Sequence, residues 1–202
     1  MEPKQNLEDK IIEIAKQLFV ENGFENTNMT DIANAVGINR TTLHYYFRTK
    51  EKMFSAVFGS LVYSFLPRMH IIFQEDIPFI DKLNKILDEY MEIFLETPSL
   101  PKFILGEIQR NISNLLEVMQ ELQFDTYLSS IKDVVLKEME EGKLKKVPLP
   151  VVFLTFYSQM TFPFLAKDLI IALFYENEQD FYNFLQEWKS NVISQMENLL
   201  IK

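Results

Sequence analysis

Between Asn28 and Lys52 the chain reads NMTDIANAVGINRTTLHYYFRTKEK, and the glycine in its middle restricts what this stretch can become. Ile32, Ala33 and Val36 fall at helical spacing, Asn28 is a good N-cap, and Asp31 stands three residues later, where a capping box places its acid. Gly37 follows at the position where a helix end turns left-handed, a conformation glycine adopts without steric cost. Asn39 then caps a second helix carrying Arg40 through Phe47. Leu43 and Phe47 lie four apart and share its buried face. Arg40, Thr41, Thr42, His44 and Tyr45 are left for the other side, and they suit phosphates and base edges better than a core. The pattern predicts a helix-turn-helix with a reading face.

The same regularity extends in both directions. From Ile11 to Phe54 the chain carries Ala15, Leu18, Phe19, Gly23, Phe24, Thr27, Ile32, Ala33, Gly37, Leu43, Tyr46, Phe47, Lys50 and Glu51 at fixed spacing. On these residues it resembles the DNA-binding domain of TetR-family transcriptional regulators. His44 departs from the family, which usually has a tyrosine reaching a phosphate there, and Asn28 replaces the usual Thr or Ser cap.

The expected fold is all-α: an N-terminal three-helix DNA-binding domain over residues 1–54, joined by a long helix to a helical effector-binding and dimerisation domain over residues 55–202. The expected DNA contacts are Asn28, Thr30, Arg40, Thr41, Thr42, His44, Tyr45, Tyr46 and Lys50.

A net charge of −9 on 202 residues is at odds with a nucleic-acid partner until it is located. Residues 40–53 hold Arg40, Arg48, Lys50 and Lys52 against Glu51 alone, whereas residues 55–202 hold 13 basic against 21 acidic side chains. Phosphate binding depends on charge at the contact surface, so the distant acid weakens non-specific association and leaves the reading helix its local excess.

With no cysteine, thiol nucleophiles, thiolate metal sites and disulfides are excluded. Nothing resembles a nucleophile elbow, a phosphate-binding glycine loop or a His-Glu-x-x-His pair, and His70 has no ligand-spaced partner, so no catalytic residue, metal or cofactor is expected. No apolar run approaches a membrane span, and the N-terminus lacks a signal-peptide core, which predicts a soluble cytoplasmic protein.

Ahead of Asn28, Leu7, Ile11, Ile14, Ala15 and Leu18 form a bracing helix ended by Gly23; Lys10 and Lys16 on it read as solvated surface. Thr49 caps a fourth helix running to Pro67 or beyond. Further helices follow: one from the EDIPF segment to Thr97, a short one over KFILGEIQRN, and a long one from Asn111 through Met139 to Gly142. An apolar stretch from Leu149 to Phe174 should kink or break at Pro163. The final helix, from about Glu178 to Ile201, aligns Phe181, Leu185, Trp188, Val192, Met196 and Leu199.

Two consecutive apolar helices exceed what a monomer of this size needs. That last stripe is therefore expected to lie in a homodimer interface, a bundle of two helices from each copy, as the resemblance also implies. A small apolar or aromatic effector is expected among Phe103, Glu107, Phe124, Tyr127, Phe156, Tyr157 and Met160. Glu107, a carboxylate amid apolar neighbours, is either at the surface, paired with Arg110, or a polar group in an apolar cavity. The resulting expectation is a ligand-responsive repressor that binds a pseudo-palindromic DNA operator as a dimer. The competing expectation is an all-helical carrier or sensor of hydrophobic ligands that no longer reads DNA.

Overall fold

A computed structural model describes residues 6–201; Met1–Gln5 and Lys202, with which the two expected domains begin and end, lie outside the described residues. Eleven helices follow one another, with no strand among the described residues: α1 (Leu7–Asn26), α2 (Met29–Val36), α3 (Arg40–Tyr46), α4 (Lys50–Gln74), α5 (Phe79–Glu96), α6 (Leu100–Arg110), α7 (Ile112–Glu121), α8 (Phe124–Glu140), α9 (Leu149–Leu165), α10 (Lys167–Phe174) and α11 (Glu178–Leu200). The chain forms two compact units, one of residues 1–66 with 102–124 and the other of residues 67–101 with 125–202.

In the first unit, Ile11, Ala15 and Phe19 of α1 join Ile32, Ala33, Val36, Leu43 and Phe47 in a buried core. Lys10 is not a free surface lysine: its ammonium donates to the carbonyl of Val36 (3.2 Å), which would otherwise end α2 unbonded. Gly23, with φ 79°, bends the chain as expected, yet helical turns resume until Asn26. Thr27 fastens this corner, its hydroxyl lying 3.0 Å from the carbonyls of both Leu18 and Gly23. An aromatic cluster of Phe19, Phe24, Phe54, Phe58 and Phe103 ties α1, α4 and α6 together.

Two expectations fail at helix boundaries. The long helix from Asn111 to Met139 is broken into α7 and α8 at Leu122 and Gln123, where Gln123 takes φ 54°. A left-handed residue other than glycine costs about 1–2 kcal/mol. The break lets Leu122 lie against Gly59 of α4; a Cβ built on Gly59 would stand 3.3 Å from the Leu122 side chain.

Nor does Pro163 end a helix, because α9 runs through it to Leu165. A proline at 163 removes the N–H that would bond the carbonyl of Gln159, and Trp188 of α11 donates its indole N–H to that same carbonyl at 2.8 Å. The lost helix bond is replaced from outside. The sharp turn comes three residues later, where α10 leaves α9 at 69°. Trp188→Phe should therefore cost about 1–3 kcal/mol in chemical denaturation. Since Pro163→Ala restores a backbone donor, the cost should shrink by about 1 kcal/mol in that background, and equal costs in both would show that the indole bond is unimportant.

The second unit packs α5, α9, α10 and α11 together. Its core includes Phe94, Phe164, Phe181, Leu185, Val192 and Met196. The basic loop after Gly142 has a structural use: Lys145 donates its backbone N–H to Leu200 (2.7 Å) and its ammonium to Asn198 (3.0 Å), closing the last carbonyls of α11. Buried Lys82 likewise donates to the carbonyl of Phe73 (3.0 Å) near the end of α4. By length and composition α4 could cross a membrane, and so could α9 and α10 if their bent pair were one span, which corrects the expectation from apolar runs. On α4 that apolarity is buried within each unit, Met53, Phe54, Val57, Phe58, Val62 and Leu66 in the first and Met69 in the second.

Candidate nucleic-acid interface

The two helices of the motif are held by their own caps. Asn28 Oδ1 accepts the backbone N–H groups of Thr30 (2.9 Å) and Asp31 (3.0 Å), while the Asp31 carboxylate accepts the N–H of Asn28 (3.2 Å), completing a capping box. Gly37 adopts φ 83°, ψ 31°, and its N–H reaches the carbonyls of Ala33 and Asn34. Across the turn, Asn39 Oδ1 accepts both the N–H (2.8 Å) and the hydroxyl (3.0 Å) of Thr42. The Thr42 hydroxyl thus spends its proton on the cap and keeps only acceptor capacity outward.

Burial divides α3 as its pattern requires. Leu43 is fully buried and Phe47 nearly so, whereas Arg40, Thr41, His44 and Tyr45 are exposed, Tyr45 at 84%. Tyr46 is half-buried, its ring edge-on to Tyr45 at 5.5 Å. Asn28 and Thr30 at the start of α2 are exposed as well. Thr49 caps α4 through the N–H of Lys52 (3.2 Å). Lys50, in the first turn of α4, donates to the carbonyl of Glu25 (3.3 Å) and lies 4.3 Å from the centre of the Phe24 ring. An ammonium has three donors, so two remain. A capped helix-turn-helix with a bare polar recognition face, supported by α1, is the geometry of a duplex reader.

Comparison with known proteins agrees. Residues 11–57 match the model of bacterial regulatory proteins, tetR family. This segment is a TetR-family DNA-binding domain. The chain is 28% identical over 120 residues, 54% of its own length, to the biofilm operon negative transcriptional regulator IcaR of Staphylococcus epidermidis, and the match spans only 63% of that protein. To the fatty acid metabolism regulator protein of Bacillus subtilis it is 23% identical over 139 residues, covering 68% of this chain and 70% of the relative. Its fold resembles the crystal structure of FadR from Bacillus subtilis in complex with stearoyl-CoA, with a TM-score of 0.70 at 17% identity over 92% of this chain and 97% of the other.

Beyond the TetR-family domain, the seven expected effector residues divide between the two compact units. Phe103, Glu107 and Phe124 belong to the first compact unit, and Tyr127, Phe156, Tyr157 and Met160 to the second. Phe103 is buried in the aromatic cluster 5.9 Å from Phe54, and Tyr127 meets the edge of His70, whose Nδ1 lies 3.3 Å from Ser130 Oγ. Glu107 is buried rather than at the surface, and it is paired: Arg110 Nε (2.8 Å) and Nη2 (2.6 Å) both donate to its Oε2. Three surface hollows, lined among others by Asp9 and Gly59, by Ile71 and Glu75, and by Ile80 and Ile193, include none of the seven. In the second unit, burial pushes the hydroxyls of Tyr90 and Tyr157 above their ordinary range, with Tyr157 adding to the effect on Tyr90, so both stay neutral donors.

Most of the expected interface stripe on the last helix is covered within a single chain. Phe181, Leu185, Val192 and Met196 are at most 2% exposed, Trp188 is half-buried and donates to Gln159, and Leu199 is half-buried. Several uncovered apolar residues lie on α9 and α10: Leu154, Phe162, Leu169, Leu173 and Phe174 are each at least 60% exposed, with Val151, Phe153 and Leu165 beside them. Spacings of three and four residues were readable there too, but a spacing does not say which of two apolar helices faces inward.

Proposed function

We propose that this chain is a ligand-responsive repressor that binds a pseudo-palindromic operator as a homodimer. The observation that carries the proposal is the bare recognition face of α3 on a fully capped helix-turn-helix. In this reading Arg40, Thr41, His44 and Tyr45 meet base edges and phosphates; Asn28, Thr30, Thr42, Tyr46 and Lys50 hold the backbone on either side. DNA reading is assigned to residues 1–54, and effector binding and dimerisation to residues 55–202. One α3 spans only a few base pairs, so two related by a two-fold axis would read half-sites about one helical turn or more apart. No chemical step belongs to this role, and its place is the cytoplasm, where the DNA is.

The exposed apolar face of α9 and α10 is assigned to the second copy, since five large apolar side chains at least 60% exposed on two consecutive helices gain by being covered. An apolar or aromatic effector is assigned to the helices after α4, in keeping with the acyl-CoA complex of the similar fold and with the neutral phenols of Tyr90 and Tyr157. It must bind the DNA-competent and DNA-released states with different affinity, because equal affinity shifts nothing.

Selection of duplexes from a random-sequence pool by the full-length protein tests the proposal. Recovery of a pseudo-palindrome is the expected result. Failure to enrich any duplex at low salt, by protein shown to be folded, would overturn it in favour of a carrier of hydrophobic ligands.

A further inference from the structure

Arg110 ends α6 with its charge directed into the first compact unit. Two of its nitrogens hold the buried carboxylate of Glu107, whose side chain is 5% exposed, and a third lies 3.9 Å from the exposed carboxylate of Glu25. The guanidinium carbon is 3.8 Å from the centre of the Phe24 ring and 5.6 Å from that of Phe54. A planar cation fixed at the edges by a carboxylate and laid on an aromatic face is held in one orientation.

Phe24 is the residue that makes this contact consequential. It follows the bend at Gly23, three residues before the Thr27 corner and four before Asn28, the cap of α2. The same ring lies 4.3 Å from the ammonium of Lys50, which also bonds the carbonyl of Glu25 in the same turn. One short segment, Phe24–Glu25, thus receives Arg110 from α6 and Lys50 from α4, and leads directly into α2. Taking the proposed DNA-binding role as its premise, we infer that Arg110 is a positioning residue for that role: it clamps the end of α6 onto Phe24 and so places Lys50 for its phosphate.

Glu107 in turn orients Arg110. Removing either charge alone would strand the other in a poorly solvated site, so a single substitution confounds stability with positioning. Replacing both, as Glu107→Gln with Arg110→Met, removes the grip on Phe24 without leaving a buried charge unpaired.

The full-length double variant is to be compared with the unsubstituted protein on a duplex recovered from the random pool, at several salt concentrations, alongside Lys50→Ala and the combination of all three. The expected result is a melting temperature close to that of the unsubstituted protein, about tenfold weaker binding, and a salt dependence shallower by about one phosphate contact. On top of Lys50→Ala the double replacement should then weaken binding less than twofold.

A folded double variant with unchanged affinity and salt slope, or with a loss that adds in full to that of Lys50→Ala, overturns the inference. If the double variant does not fold, Arg110→Lys decides in its place: it keeps the charge but not the planar stack, and unchanged binding there is equally fatal. Failure of the unsubstituted protein to enrich any duplex is a separate result that removes the premise itself.

Discussion

Replacing Phe54 by alanine should destabilise the protein by about 3–5 kcal/mol, lower its melting temperature by roughly 10 °C and abolish DNA binding at 37 °C. Phe54 is fully buried at the start of α4, and four rings converge on it: Phe19 at 6.1 Å, Phe24 at 5.4 Å, Phe58 at 5.8 Å and Phe103 at 5.9 Å. These belong to α1, α4 and α6, so the cavity left by truncation opens where three helices meet. Edge-to-face pairs with Phe19 and Phe24 add about 0.5–1.5 kcal/mol each beyond the area they bury. Chemical denaturation followed by circular dichroism measures the first part, and a gel shift with a selected duplex the second. Phe54→Leu, which keeps most of the volume, should cost about 1–2 kcal/mol and retain binding. A Phe54→Ala loss below about 1 kcal/mol would mean that the cluster repacks and is not the pivot of the unit.

The helix-turn-helix was legible because its determinants are local. Asn28, Asp31, Gly37 and Asn39 act within four residues of themselves, and each does in the structure what its position required. The same locality made Leu43 and Phe47 readable as core and left Arg40, Thr41, His44 and Tyr45 for the outside. Where a helix end depends on a distant partner, the local signal misled. Pro163 is expected to kink or break α9; the helix runs on, and Trp188, 25 residues later, replaces the bond that the proline removes. Gln123 carries no turn signal, and α7 ends there with Leu122 set against Gly59.

Sites built from several helices were the least legible. Glu107 could be read as paired or as pocket-lining until the Arg110 geometry decided. Spacing alone could not show that the guanidinium stacks on Phe24, because no sequence period connects residue 110 to residue 24. The interface stripe was hard to read for a related reason. Periodicity identifies an apolar face and says nothing about what covers it, and α11 carries a more regular stripe than the helices that leave theirs bare.

The largest functional loss is expected from charging that bare face. Phe162→Glu with Phe174→Glu should convert the proposed dimer to single chains in sedimentation and weaken binding to a two-half-site duplex by roughly a hundredfold or more. Phe162 is 63% and Phe174 72% exposed, so neither substitution removes a core contact within the chain, and stability should change by no more than about 0.5 kcal/mol. In an interface, by contrast, each carboxylate would have to be desolvated against an apolar surface, and the two-fold symmetry would repeat that cost on the other copy. The loss should fall on the two-site duplex alone: each α3 keeps its caps and its reading face, so a duplex holding one half-site should be bound by the variant as weakly as by a single copy of the unsubstituted protein. Persistence of two-copy species in the variant would place the interface elsewhere. The exposed stripe of Leu105, Ile108, Ile112 and Leu116 on α6 and α7 would then be the next face to charge.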